Sequence, residues 1–163
     1  DKGPQILGLP GSGTGKRQGM TPSPAIETGS VRLLARLSRA LAGENTDLCC
    51  AYLFGSWARG DARRDSDVDV GVLFSADPPR TLAGLHLDLA DRLKGALGGR
   101  PVDLVVLNHA PVDLVHRVLR DGVLVLERDR SARIRFEVRA RNEYFDLLPH
   151  LQRYRRAPDE ANG

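Results

Sequence analysis

Apolar positions along this chain fall into two rhythms, and their alternation predicts its elements. From Ser30, Val31, Leu34, Leu37 and Leu41 recur in steps of three and four up to Gly43, the spacing of one helix face, with Ser30 placed to cap the start. Two apolar runs, LCCAYLF at 48–54 and VDVGVLF at 68–74, have the length and composition of strands. Pro78 and Pro79 break the chain, and Leu82, Leu85, Leu89, Leu93 and Leu97 mark a second amphipathic helix stopped by Gly98 and Gly99. The pentapeptide PVDLV occurs at 101–105 and again at 111–115. The first copy runs into VLN and reads as a strand. The second runs into HRVLRDG, with Val115, Val118 and Leu119 at helical spacing, Pro111 suited to the first turn and Gly122 to the stop. A last short strand is expected at 123–126. Residues 130–156 then predict one long basic helix with Ile134, Val138, Phe145 and Leu148 inward and a bend or interruption at Pro149.

Residues 1–28 are rich in Gly, Pro, Ser and Thr, show no period, and predict a disordered extension. One domain at 29–156 and a flexible tail at 157–163 complete the expected organisation. The only methionine, Met20, marks the expected natural start, with residues 1–19 upstream of it or appended. The glycine-rich stretch at 8–19 is not a P-loop. Pro10 stands where the first glycine is required, and Arg17 replaces the Ser/Thr that would hold magnesium.

Composition narrows the class. At 163 residues with 41% hydrophobic and 28% charged positions, the chain has the make-up of a globular protein with one core. No apolar run approaches a membrane span and no signal peptide is visible, so a cytoplasmic protein is expected. Cys49 and Cys50 are adjacent on a predicted strand, which would send them to opposite faces as buried thiols rather than a disulfide or metal site. Nine arginines lie between Arg128 and Arg156, placing any surface for an anionic partner there.

The chemistry concentrates at 54–72, FGSWARGDARRDSDVDVGV. Asp67 and Asp69 are two residues apart at a strand, so both carboxylates leave from one face. Like charges so placed call for a divalent cation between them. Asp103, an acid in an otherwise apolar strand, needs a partner that this site would supply, whereas Asp113 is a first-turn acid favoured by the helix dipole. Gly55 and Ser56 offer backbone N–H groups and a hydroxyl at a helix start, which suits a phosphate. Arg59 lies one turn further on, within reach of the same phosphates, and Ser66 is placed to orient Asp67. Trp57 reads as a packing or base-stacking residue. Three aspartates on two strands can hold two Mg²⁺ ions beside a triphosphate, the equipment for nucleotidyl transfer.

The order of these parts resembles the G-S-x10-D-x-D signature of the DNA polymerase β nucleotidyltransferase superfamily. GSWARGDARRDSDVDVGV is similar to the minimal nucleotidyltransferases called MNT domains, and Asp103 matches the third carboxylate of that pattern. The segment NEYFDLLPHLQRY at 142–154 resembles the end of the MNT antitoxins that pair with HEPN ribonuclease toxins. The resemblance implies an α/β (α+β) polymerase-β-like fold, a short mixed sheet with helices packed on one side and a long C-terminal helix. It also implies transfer of AMP from ATP, with Mg²⁺, to a tyrosine hydroxyl of a cognate HEPN toxin in a hetero-oligomer. No membrane association or direct nucleic-acid binding is implied. Two alternatives remain at this stage: a small-molecule nucleotidyltransferase of the aminoglycoside-modifying kind, and an antitoxin acting mainly by binding.

Overall fold

In the computed structural model, residues 24–44, 47–76, 78 and 83–156 are described, without the side chains of 24–28, 83–86 and 154–156. Residues 1–23 of the expected 1–28 extension and the 157–163 tail lie outside them, as do Leu82 and the side chain of Leu85. The elements run α1 (Pro24–Ala42), β1 (Leu48–Phe54), α2 (Gly55–Arg59), β2 (Val68–Phe74), α3 (Ala83–Ala96), β3 (Val102–Val106), α4 (Val112–Asp121), β4 (Val123–Glu127) and α5 (Arg130–Arg156).

The four strands form one mixed sheet in the order β3-β2-β1-β4. The central hairpin partners β1 and β2 are antiparallel, β4 adds antiparallel to β1, and β3 adds parallel to β2 across the α3 crossover. Alternation along the strands feeds two cores. Ala51 and Leu53 of β1 and Val68, Val70 and Val72 of β2 face one way, into a cluster with Leu33, Leu37 and Leu41 of α1 and Leu89 and Leu93 of α3. Tyr52, Leu73 and Leu107 face the other way, against Val115 and Val118 of α4 and Phe136 and Ala140 of α5. The mixed sheet and long C-terminal helix are as expected, but the helices divide between both faces instead of packing on one side.

Three further expectations change. First, α1 begins at Pro24, so 24–28 are helical, not part of a disordered extension. Ser30 therefore lies inside the helix, its Oγ buried with no hydrogen-bond partner among the described residues, and Val31 is 65% exposed while Leu33 takes the inward place. Second, a bulge between Leu48 and Cys50 turns both cysteines into the second cluster, not to opposite faces. Both are free thiols, and burial pushes the Cys50 thiol up to about 12.

The third change is in α5. Its start is set by Asp129, whose carboxylate accepts the Ala132 N–H at 2.8 Å as an N-cap. The inward face carries Phe136 and Ala140, while Ile134, Val138 and Phe145 are 42%, 51% and 61% exposed and Leu148 is half-buried. The inward side is decided by polar anchors that hydrophobic spacing does not register. Tyr52 donates to Glu137 at 2.8 Å, Arg133 bridges Glu137 and Glu127, and Tyr144 stacks on His116 of α4 with ring centroids 3.6 Å apart. The helix runs on through Pro149 without interruption to Arg156.

Candidate active site

The site lies where β1 ends and β2 begins. Phe54, Asp69 and Asp103 stand side by side on three neighbouring strands, as the registers Phe54↔Asp69 and Asp69↔Asp103 show. Residues paired across a sheet point to the same face, so the carboxylates of Asp69 and Asp103 share one. It is the face on which α4 and α5 pack, because the next row in the same register holds Tyr52 and Gly71.

Asp67 immediately precedes β2 and is exposed, Asp69 is half-buried and Asp103 is exposed. The electrostatics register their closeness. The Asp69 carboxyl is held above the usual carboxylate range, first by burial, then by the negative charges of Asp103 and Asp67, with Arg59 acting weakly in the opposite sense. Asp69 is thus flanked by Asp103 across the sheet and by Asp67 two residues before it on its own chain. Among the described residues, no group of three His, Cys, Asp or Glu side chains is arranged to hold a metal ion as it stands.

Gly55 sits directly on this cluster. Its φ is +69°, and a Cβ built there would fall 1.9 Å from Oδ2 of Asp69 and 2.8 Å from its Cγ. The residue must therefore be glycine twice over, for its backbone and for the carboxylate beside it. Phe54, at the N-cap of α2, offers no side-chain cap, so the first-turn N–H groups around Ser56 are not taken by a capping side chain. Ser56 is half-buried in that turn. The short helix ends at Gly60 in the left-handed region, whose N–H donates to Ser56 O.

The remaining candidates are placed less directly. Arg59 is exposed and pairs with Asp61 at 3.3 Å. The hydroxyl oxygen of Ser66 accepts the Arg63 N–H at 2.8 Å, which shapes the loop before Asp67 and does not orient its carboxylate. Trp57 is a packing residue. It is buried, its indole N–H donates to Ser66 O at 3.3 Å, and the Arg100 guanidinium lies 4.9 Å from its ring centroid. Arg100 also donates to Arg64 O at 2.6 Å, so this one side chain pins the loop from outside. The sequence carried no signal for Arg100 beyond its place just ahead of β3.

Comparison with known proteins gives the family. The family described as "Polymerase beta, Nucleotidyltransferase" matches residues 39–131, which include the whole site. A protein adenylyltransferase MntA of Shewanella oneidensis is 41% identical over 71 residues, 44% of this chain and 48% of that protein. A protein adenylyltransferase MntA of Thermococcus cleftensis is 38% identical over 73 residues, 45% of this chain and 70% of that protein. The aligned part thus spans about half of the Shewanella relative's length. A solved structure described as "the toxin-antitoxin with AMP-PNP" superposes with a TM-score of 0.64 at 27% identity, covering 74% of this chain and 94% of that one.

Proposed function

Because this chain belongs to the polymerase β nucleotidyltransferase family, we propose that it transfers AMP from ATP to a tyrosine hydroxyl of a cognate HEPN-type toxin, as an antitoxin. The observation that carries the reading is the row Asp69–Asp103 on adjacent strands with Gly55 pressed against Asp69. The named relatives and the MNT-like sequence at 142–154 support a protein acceptor.

The site residues fit a divalent cation. Asp67, Asp69 and Asp103 are hard oxygen donors, and the burden on Asp69 from its two neighbours is what a bound cation would relieve. These three residues would hold Mg²⁺, two ions in the full site, which would neutralise triphosphate charge and favour the deprotonated acceptor hydroxyl. Ser56 and the N–H groups of the α2 turn bind the β- and γ-phosphates, with Arg59 adding positive charge once it leaves Asp61. Gly55 lets the turn lie directly against Asp69, so that a nucleotide held on the turn lies beside the carboxylates. Asp103, the exposed acid on the edge strand β3, takes the acceptor proton. The acceptor oxygen forms its bond to the α-phosphorus as the bond to pyrophosphate breaks.

The test incubates the chain with α-labelled ATP, Mg²⁺ and the product of the adjacent reading frame. Label is expected on a tyrosine of that protein. Transfer should fall about 100-fold or more in the Asp67→Asn/Asp69→Asn variant with the fold intact. Unchanged transfer by this variant at matched Mg²⁺ overturns the site. Label only on an added aminoglycoside overturns the acceptor, and undiminished neutralisation of the toxin by the variant overturns transfer as the means of neutralisation.

A further inference from the structure

The apolar residues of α5 that the sequence places in the core are outside it. Ile134, Val138 and Phe145 are 42%, 51% and 61% exposed. Together with Arg130, Arg141 and Leu148 they follow one another in steps of three and four, so they form one stripe along a side of the helix turned away from Phe136. At about 1.5 Å per residue, the stripe from 130 to 148 is about 27 Å long. A stripe of that length with three large apolar side chains in water needs an occupant.

The charges say which kind. Both charged members of the stripe are arginines, exposed; of the acids that flank it, Glu137 is engaged by Tyr52 and Arg133 and Glu143 by Arg139, and Asp146 is exposed beside Phe145. A second copy of this helix would set arginine rows against each other. A partner helix with apolar residues at the same spacing and carboxylates along its flank would bury the stripe and pair the guanidinium groups.

We infer that the outer face of α5 is the docking surface for an acidic amphipathic helix of the protein acceptor. The surface is joined to the carboxylate site through α4, since Tyr144 of α5 stacks on His116 of α4 and α4 in turn abuts α2. The inference rests on the proposed antitoxin function for the identity of the acceptor, but not for the surface.

The experiment measures binding of the full chain to the product of the adjacent reading frame by calorimetry, alongside sedimentation of the chain alone. Val138→Asp and Phe145→Asp should each weaken binding about tenfold or more, as loss of a contact near the centre of an interface does. Leu87→Asp, on the α3 surface where Leu87 is 62% exposed, should bind as the parent does. Arg141→Glu should also weaken binding and regain it when an acid of the partner helix is reversed to lysine. These exposed positions leave the thermal melt unchanged, which separates docking from folding. Equal binding by Val138→Asp and the parent overturns the surface while leaving the proposed function standing. Loss of self-association in Val138→Asp, with toxin binding intact, identifies a second copy as the occupant and also overturns it. No binding by the parent chain overturns both.

Discussion

Gly55 and Gly60 bracket the same five-residue helix at nearly the same backbone angle, φ +69° and +79°, yet only one of them has neighbours. A Cβ at Gly60 would meet nothing within 4 Å, whereas one at Gly55 would overlap the Asp69 carboxylate. The pair therefore separates backbone strain from site geometry. Gly60→Ala carries only the left-handed penalty, about 1–2 kcal/mol by urea denaturation, and keeps nucleotide transfer. Gly55→Ala carries that penalty and displaces Asp69 as well, so transfer should fall about 100-fold, since displacing a reacting group by about 1 Å has that effect. Equal activity in the two variants would show that the contact with Asp69 has no bearing on the chemistry. This part of the site was legible in the sequence because its parts are local. A glycine ending a strand, two acids of one parity and a third acid in an apolar strand are each fixed by alternation, and the register only had to align them. Ser66 was misread because a hydroxyl beside an aspartate says nothing of which backbone N–H it will find first.

At the scale of elements, strands were easier to read than helices. The bounds of β1 and β2 coincide with their apolar runs, while α1 starts six residues before its expected cap and α5 turns the opposite face inward. Ile134, Val138, Phe145 and Leu148 make a regular stripe, but Phe136, Ala140 and the polar residues between them make another. What chooses between them is the chain Tyr52–Glu137–Arg133–Glu127, which ties the helix to β1 and β4. Burial raises the Tyr52 hydroxyl and the Glu137 bond raises it further, so the phenol stays protonated and donates. Arg133, with 17% of its side chain exposed, compensates both glutamates. Arg133→Ala should destabilise by about 2–3 kcal/mol, because it leaves the half-buried Glu137 carboxylate with the Tyr52 hydroxyl as its one remaining partner and takes the guanidinium from Glu127. Arg133→Ala/Glu137→Gln should recover part of that loss, since it removes one of the stranded charges. If the single variant unfolds at the parent's urea midpoint, the anchor is not what sets the face of α5.

For the whole molecule, the two cores share one sheet, and the site sits at the end of the strands they share. Cluster one, with α1 and α3, holds Val68 and Val70; cluster two, with α4 and α5, holds Tyr52 and Leu73. Asp69 lies between Val68 and Val70 on β2, so its position depends on packing it does not itself face. The only tryptophan, Trp57, belongs to cluster one and serves as its reporter, while far-UV circular dichroism follows the whole chain. Phe136→Ala removes a large side chain from cluster two alone and should lower stability by about 3–4 kcal/mol. Leu37→Ala, in cluster one and fully buried, should lower it by about 3 kcal/mol. If the sheet couples the clusters, Trp57 fluorescence in Phe136→Ala shifts together with the dichroism signal, in a single transition, although Phe136 is on the other side of the sheet. A fluorescence midpoint that stays at the parent's value while dichroism moves would mean two independent halves. The carboxylate row would then be held by cluster one without help from α4 and α5.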